Sequence, residues 1–343
     1  MYSFKNDYSE GAHPKILEAL AKASREQNTA YGLDAHSLRA ADFIREKTGL
    51  PTAEVHFLEG GTQTNLTAIS AFLRPYEAVI SAETGHINGH EAGAVEATGH
   101  KIITVPSKDG CLTPQGIERA LKAFQDEHMV KPKLVYISDS TETGTIYTKT
   151  RLADLRDFCN KNDLLLYLDG ARLGSALTAQ GNDLTLRDVG NLCDAFYIGG
   201  TKNGALFGEA LVIKNSALQE NFRYMLKQRG AMIAKGMALG VQFETLFEND
   251  LYFELAEHAN QMAECMRAAI RNAGFSFLSD SPTNQIFPIL PNAVIKKLRQ
   301  NFDFEVWDTL DDFHTAIRLV TSWATPKKEV EHFIVYFSTN TKL

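Results

Sequence analysis

Cysteine is scarce in this sequence, with four residues among 343. Cys111, Cys159, Cys193 and Cys265 are widely separated and form no CxxC pair, so neither a zinc knuckle nor a disulfide framework is indicated. We therefore expect reduced, packed thiols, no metal site, and a cytoplasmic protein.

Long hydrophobic runs and blocks of positive charge are missing as well. No apolar run approaches the ~20 residues that a membrane-spanning helix needs, and residues 1–10 lack the hydrophobic region of a signal peptide. The net charge is −7 and the Lys and Arg residues are dispersed, so neither a membrane nor a nucleic acid is an expected partner. The remaining composition, 44% hydrophobic and 22% charged, is that of an ordinary globular protein.

Short apolar runs alternate with helical patterns from residue 54 onward. Residues 164–168 are continuously apolar, which is typical of a strand buried on both faces, and residues 88–98, 113–127 and 151–161 are predicted helices. This alternation predicts an α/β fold with a doubly wound, mostly parallel sheet. Residues 206–213 follow a glycine turn and predict an antiparallel strand.

The pattern changes in the second half of the chain. Helices are predicted over residues 216–229, 231–247 and 250–273, followed by short strands that alternate with helices. We therefore expect three parts, namely an extended N-terminal arm (residues 1–11) that contributes to the active site, a large domain (12–247), and a small C-terminal α+β domain (248–343).

Three predicted strands end in residues that can carry chemistry. Lys202 follows the apolar run 195–198, and a lysine stripped of water is a nucleophile toward aldehydes, although such a sequence is often only a surface turn. Gly61 and Thr62 precede a helix whose N-terminus favours a phosphate, but no Walker or dinucleotide glycine motif is present. Asp169 ends another strand, and its partner is either Arg172 or the protonated ring nitrogen of a pyridine cofactor.

Two further residues complete a possible site. His86 follows a strand end and can stack on a planar ring or act as a general base, although a loop histidine is often merely solvated. Arg318 lies among apolar residues of a predicted strand, where it either clamps a substrate carboxylate or forms a structural ion pair. Together the five elements are those of a pyridoxal-phosphate enzyme acting on an amino acid.

The sequence resembles the threonine aldolase (β-eliminating lyase) family of fold-type-I pyridoxal-phosphate enzymes over nearly its whole length. The resemblance is carried by Leu-Asp-Gly-Ala-Arg-Leu at 168–173, the block from His86 to Ala94, Gly-Thr-Lys-Asn-Gly at 200–204, and Arg-Leu-Val-Thr-Ser-Trp at 318–323. Two segments depart from the family pattern, because Asn6 replaces a serine and residues 138–143 read Ser-Asp-Ser-Thr-Glu-Thr. These departures leave substrate choice open.

The resemblance also implies a role for each candidate residue. Lys202 would attach pyridoxal 5′-phosphate covalently, Asp169 would pair with its ring nitrogen, and His86 would stack on the ring. The phosphate would be held by Gly61, Thr62 and Thr201, and by Arg229 and Lys235 reaching across from a neighbouring subunit. The substrate carboxylate would be bound by Arg318 and Asn6. Arg172 would bind either that carboxylate or the phenolic oxygen of the cofactor. Tyr31 of a neighbouring subunit would lie near the substrate.

The implied reaction is retro-aldol cleavage of L-threonine or L-allo-threonine to glycine and acetaldehyde. The alternatives within the cofactor class are β-elimination, transamination and racemisation, and the alternative outside it is a non-enzymatic phosphate-ligand-binding scaffold. Since a neighbour contributes to each site, we expect a homo-oligomer, and the resemblance implies a tetramer built as a dimer of dimers.

Overall fold

The computed structural model describes residues 1–340, so the last three residues of the predicted small domain lie outside the described part. Within these residues the strands are β1 Tyr2–Ser3, β2 Glu54–Leu58, β3 Glu77–Ala82, β4 Ile102–Val105, β5 Lys131–Ser138, β6 Leu165–Asp169, β7 Ala195–Gly199, β8 Glu209–Ile213, β9 Gln285–Ile286, β10 Ile289–Pro291, β11 Phe302–Asp303, β12 Glu305–Thr309 and β13 His314–Val320.

Helices connect and cover these strands. They are α1 Pro14–Ala23, α2 Ala35–Thr48, α3 Gly61–Phe72, α4 His86–Gly89, α5 Pro114–Ala123, α6 Lys149–Lys161, α7 Leu173–Leu177, α8 Leu186–Leu192, α9 Phe222–Gln228, α10 Met237–Glu248, α11 Leu251–Asn272, α12 Asn292–Leu298 and α13 Lys327–Asn340, with 3₁₀ turns at Glu96–Thr98 and Ser216–Leu218. In the described part of the chain, none of these helices combines the length and apolarity needed to cross a membrane.

Seven strands form the large sheet in the order β2-β8-β7-β6-β5-β3-β4. The pairs β3–β4, β3–β5, β5–β6 and β6–β7 are parallel, whereas β8 runs antiparallel to both β7 and β2. The predicted mostly parallel sheet and the antiparallel strand after the glycine turn are therefore confirmed. Since β2, β6 and β7 point the same way, their carboxyl ends meet at one edge of the sheet.

Alternate residues of the central strands face two different hydrophobic clusters, as the pleat of a strand requires. On β6, Leu166 and Leu168 join the larger cluster, whereas Tyr167 joins the second cluster together with Tyr136 and Tyr197. The second cluster includes Ala68, Ile69 and Phe72 of α3, the helix that follows the glycine loop. Three buried tyrosines therefore lie between the sheet and that helix.

A smaller sheet and a third hydrophobic cluster occupy the C-terminal part. Strands β10, β13 and β12 are adjacent and antiparallel, and β9 pairs with the end of β13. The N-terminal arm belongs to this part, because β1 pairs with β11 and the Phe4 side chain is fully buried in the third cluster. Helix α11 contributes to both the first and the third clusters, so the domain boundary at residue 247 stays a prediction.

Two of the predicted helices are interrupted in the structure, and the helix predicted over residues 231–247 begins only at Met237. Residues 88–98 form only the end of α4 and a 3₁₀ turn, since Ala92 and Gly93 adopt left-handed backbone angles that interrupt a helix. Residues 216–229 are split in the same way, by the left-handed Asn221 that precedes α9. Apolar periodicity does not register a single left-handed residue, and it therefore joined segments that the backbone separates.

Candidate active site

Asp169 is the last residue of β6 and its carboxylate is buried. It accepts hydrogen bonds from the Tyr197 hydroxyl (2.5 Å), the Tyr136 hydroxyl (2.6 Å), the Asn65 amide (2.9 Å) and the Ala171 backbone N–H (3.0 Å). Burial by itself raises the pKa of this carboxyl, but the three side-chain hydrogen bonds outweigh burial and the net pKa is lowered. Asp169 is therefore a fixed, ionised carboxylate.

Lys202 lies in the tight turn that follows β7. The turn is closed by the Asn203 and Ala205 backbone N–H groups, which donate to the Gly200 carbonyl at 2.9 and 3.1 Å. Burial and the charge of Arg172 lower the pKa of the Lys202 amine, and within residues 1–340 it forms no ion pair. The amine therefore has a larger neutral fraction than an exposed lysine, which is the form that attacks an aldehyde.

His86 begins the short helix α4 and is connected to Asp169 by a chain of hydrogen bonds through Glu91 and Asn65. Its Nδ1 lies 2.8 Å from Glu91 Oε1, which also accepts from the Asn65 amide at 2.8 Å, and the same amide donates to Asp169. Burial lowers the pKa of His86, but the hydrogen bond to Glu91 and the charges of Glu142 and Asp169 outweigh it, so the net pKa is raised. When neutral with its proton on Nδ1, His86 has Nε2 left as a proton acceptor.

Arg172 is held by the N-terminal arm. Its Nε and Nη2 donate to the two oxygens of Asp7 at 2.7 and 3.0 Å, and Asn284 also donates to Asp7 at 2.9 Å. Arg172 is thus paired with Asp7 and not with Asp169, the partner that its position three residues after Asp169 suggested. The side-chain oxygen of Asn6 accepts from the Tyr8 backbone and the Ser9 hydroxyl, so Asp7 is the arm residue that reaches the arginine.

Arg318 reaches the same region from β13 of the small sheet. It forms an ion pair with Glu305, and its guanidinium lies 5.1 Å from the centre of the Trp307 ring. Its Nε is buried and has no hydrogen-bond partner among the described residues. An unsatisfied donor on a cation is a suitable contact for an incoming carboxylate.

A cleft of about 320 Å³ brings these groups together. It is lined by Tyr8, His86, His90, Glu142, Arg172, Lys202, Glu305, Trp307 and Arg318. The lining combines residues of the large sheet, the small sheet and the arm, and Glu142 comes from the segment that departs from the family pattern. Asn6 is not among these residues, and its contact with substrate stays a prediction.

The predicted phosphate residues flank this region. Gly60 caps α3, and a Cβ atom on Gly61 would lie 3.1 Å from the Tyr197 hydroxyl, so the loop sits closely over a tyrosine bound to Asp169. The Thr201 hydroxyl donates to Glu209 Oε1 at 2.8 Å, and Thr62 is exposed at the start of α3. An amine, an ionised carboxylate and a helix N-terminus fit the aldehyde, the ring nitrogen and the phosphate of pyridoxal phosphate.

Tyr31, Arg229 and Lys235 lie together but outside the cleft lining. The Tyr31 backbone N–H donates to the Ala234 carbonyl at 3.1 Å, and its half-exposed ring lies 4.7 Å from Lys227 Nζ. Arg229 Nε is buried without a partner among the described residues, and Lys235 is exposed. That these residues contribute to the active site of a neighbouring subunit stays a prediction.

Sequence reasoning missed several groups that build the site. The tyrosines of β5 and β7 and the carboxyl of Glu209 lie inside continuous apolar runs, where the only signal is a polar atom in a strand buried on both faces. Asp7 follows the arm residue Asn6 and Asn65 lies just after the Gly61–Thr62 loop, but their partners are 165 and 104 residues away along the chain. No local pattern predicts such pairings.

Comparison with known proteins agrees with this geometry. Residues 5–292 match the family described as beta-eliminating lyase. The chain belongs to the beta-eliminating lyase family. This membership confirms the prediction of a lyase that uses pyridoxal phosphate.

Individual relatives place the chain within the family. It is 32% identical over 299 residues to the low specificity L-threonine aldolase of Pseudomonas aeruginosa, covering 86% of each chain. A structure of Leishmania major threonine aldolase shares 50% identity and a TM-score of 0.98, covering 99% of this chain and 100% of that one. A Thermus thermophilus aspartate aminotransferase variant at 16% identity, with a TM-score of 0.73 over 99% of this chain and 90% of its own, shows the shared fold. The fold-type-I architecture is confirmed.

Proposed function

We propose that this protein cleaves L-threonine and L-allo-threonine to glycine and acetaldehyde with pyridoxal phosphate as cofactor. One observation carries the proposal, namely that Lys202, His86 and Arg318 line one cleft beside the ionised Asp169. The names of the relatives in Pseudomonas aeruginosa and Leishmania major support the choice of substrate.

The cofactor would be held by groups already described. Lys202 would hold the aldehyde, Asp169 the ring nitrogen, and the loop at Gly61 and Thr62, with Thr201, the phosphate. When bound, pyridoxal phosphate supplies an electron sink for the electron pair left on Cα after the Cα–Cβ bond breaks.

Side chains of the cleft bind the substrate carboxylate and transfer the proton of the β-hydroxyl. The free Nε of Arg318 binds the substrate carboxylate, and Arg172, fixed by Asp7, contacts the carboxylate or the phenolic oxygen of the cofactor. His86 Nε2 takes the proton of the β-hydroxyl, directly or through a water, while Glu91 holds the ring through Nδ1. Fixing the carboxylate orients the bond to be broken, which is catalysis by proximity.

Product analysis across the threonine stereoisomers tests the reaction type. We expect equimolar glycine and acetaldehyde from L-threonine and from L-allo-threonine. Ammonia and 2-oxobutyrate would instead assign β-elimination, and interconversion of stereoisomers would assign racemisation. A protein that takes up no pyridoxal phosphate would overturn the proposal and favour a non-enzymatic scaffold.

We also propose that the protein acts in the cytoplasm as a dimer of dimers. All four cysteines are free thiols and three of them are buried, which supports a reducing compartment. Tyr31 and Lys235 are exposed, Arg229 is partly exposed, and all three lie outside the cleft lining of their own chain, which supports their use by a neighbour. The mass in solution, measured by light scattering, tests the assembly.

Replacing the predicted carboxylate clamp should affect substrate more than cofactor. For Arg318→Ala we expect KM for L-threonine to rise by roughly 10- to 100-fold, the loss of a hydrogen bond to a charged group. The affinity for pyridoxal phosphate should stay at the wild-type value. Steady-state kinetics and cofactor titration measure the two quantities.

Arg299→Ala is the matched control for that substitution, since its guanidinium lies over Phe304 at the surface, away from the cleft. It should change neither KM nor cofactor affinity. Equal losses of substrate and cofactor affinity in Arg318→Ala would contradict a role specific to the carboxylate.

The pH dependence of turnover tests His86 as the base. Its neutral form is required, so kcat should rise as pH increases through the raised pKa of His86. Glu91→Gln keeps an oxygen for the His86 and Asn65 donors but removes the charge that stabilises the imidazolium. The pKa of His86 should fall, and the acid limb of the kcat profile should move to lower pH.

Glu96→Gln, at an exposed acid of the 3₁₀ turn that follows, is the control and should leave this limb in place. An unchanged acid limb in Glu91→Gln would remove His86 as the titrating group.

A further inference from the structure

Glu209 is a buried carboxyl group between two strand ends. Strand β8 pairs with β2 on one side and β7 on the other, and Glu209 stands opposite Leu58 and Gly199. The glycine loop departs from β2 and the Lys202 turn departs from β7, so Glu209 lies between the two segments proposed to hold the cofactor. Its side chain is 4% exposed overall, and neither the motifs nor the proposed reaction uses it.

Both carboxyl oxygens of Glu209 are engaged by the Lys202 turn. Oε1 accepts from the Thr201 hydroxyl at 2.8 Å, and Oε2 accepts from the Gly200 backbone N–H at 3.0 Å. The Thr201 oxygen also accepts from the Gly208 backbone N–H at 2.9 Å. A hydroxyl has a single proton. While Glu209 is ionised, the Thr201 hydroxyl therefore donates its hydrogen bond to Glu209 and cannot donate one to a phosphate.

A protonated Glu209 resolves this conflict without moving any atom far. Its O–H donates to the Thr201 oxygen, which still accepts from Gly208, and the Thr201 proton becomes available to a phosphate. Gly200 continues to donate to the other oxygen of Glu209. Protonation also removes the repulsion between a carboxylate and a phosphate dianion, which is strong where water is excluded.

The surroundings of Glu209 make protonation accessible. Burial raises the pKa of Glu209 to about 8, against the hydrogen bond from Thr201 and the charge of Lys202, which lower it. The negative charge of Asp169 acts in the same direction as burial. The other titratable groups that face Glu209 are tyrosines whose pKa values are raised by burial, so they stay neutral, namely Tyr167, Tyr197 and Tyr252.

We infer that Glu209 is a positioning residue that carries a proton when the cofactor phosphate is bound and thereby frees the Thr201 hydroxyl to donate to it. The inference rests on the proposed function, because it concerns the phosphate of pyridoxal phosphate. Its consequence is that cofactor binding takes up a proton wherever Glu209 is ionised in the free protein.

The test uses pyridoxine 5′-phosphate and cofactor-free protein, because this probe has the phosphate but no aldehyde to react with Lys202. We expect Kd to be steady below pH about 8 and to rise about tenfold for each pH unit above it, in excess of the ionisation of the probe. In Glu209→Gln the amide donates to Thr201 at every pH, so that excess should vanish. Ionisation of the probe is common to both proteins and cancels in the ratio of their Kd values.

Calorimetry on the wild-type protein and on Glu209→Gln gives a second measurement. Titrations at pH about 9 in buffers of different ionisation enthalpy should show the wild type taking up close to one proton more than Glu209→Gln, because protonation of the probe's ring nitrogen opposite Asp169 is common to both proteins. Glu59→Gln is the control, since Glu59 directly follows the neighbouring strand β2 and burial raises its pKa as well. Loss of proton uptake in Glu59→Gln but not in Glu209→Gln would overturn the assignment.

The two proposals fail in different ways. If neither pyridoxine 5′-phosphate nor pyridoxal phosphate binds the wild-type protein, the proposed function fails. If both bind but Glu209→Gln keeps the pH dependence and the proton uptake of the wild type, only the role of Glu209 is lost.

Discussion

Lys202→Ala should lower kcat for L-threonine by on the order of 10⁴-fold or more, because the nucleophile that attaches the cofactor is removed. The partly buried Lys202 side chain, the pKa of whose amine is lowered by burial and by the charge of Arg172, is the group in the cleft that can attack an aldehyde. Acetaldehyde release measures turnover. Borohydride reduction followed by mass spectrometry should fix the cofactor to the wild-type chain and not to the variant.

Lys214→Ala is the matched control for that experiment. Lys214 is exposed after β8, where its amine donates to the Asn191 carbonyl at 2.5 Å. It should keep wild-type turnover and borohydride fixation at Lys202. Both variants should unfold cooperatively on heating, with midpoints close to that of the wild-type protein. Fixation of the cofactor to Lys202→Ala would show that a different amine attaches it.

Asp169→Asn should reduce kcat by on the order of 10²- to 10³-fold, because the negative charge that keeps the ring nitrogen protonated is lost. An amide also offers one acceptor oxygen to the hydroxyls of Tyr136 and Tyr197, so one buried donor loses its partner. We therefore expect a lower unfolding midpoint together with the loss of activity. Kinetics with L-threonine and thermal melts measure the two effects.

Tyr197→Phe separates charge from hydrogen bonding in that experiment. It removes one hydrogen bond to Asp169 but leaves the carboxylate, whose pKa should rise because that bond favours the ionised form. The loss of kcat should be much smaller than in Asp169→Asn. Similar losses in both variants would mean that the hydrogen-bonded network, and not the charge, sustains turnover.

The sequence predicted the sheet better than the helices around it. The continuous apolar run at residues 164–168 forms most of β6 and is buried on both faces of the sheet, and the glycine turn before Glu209–Ile213 reverses the chain as expected. The helix predicted over residues 88–98 failed because left-handed backbone angles at Ala92 and Gly93 leave no trace in apolar periodicity. Strand β12 was also missed, since it is mostly exposed and carries little hydrophobic pattern.

The sequence by itself determined the chemical parts of the site, because a lysine, an aspartate and a glycine loop each follow a buried strand and strand ends converge. Only the tertiary structure decided which hydrogen-bond partners surround those parts and therefore which protonation states they adopt. It placed Asp7 on Arg172, Tyr136 and Tyr197 on Asp169, and Glu209 under Thr201. The physical reason is that the protonation state of a buried group depends on partners brought next to it by strand order and packing, and these partners are distant in the chain.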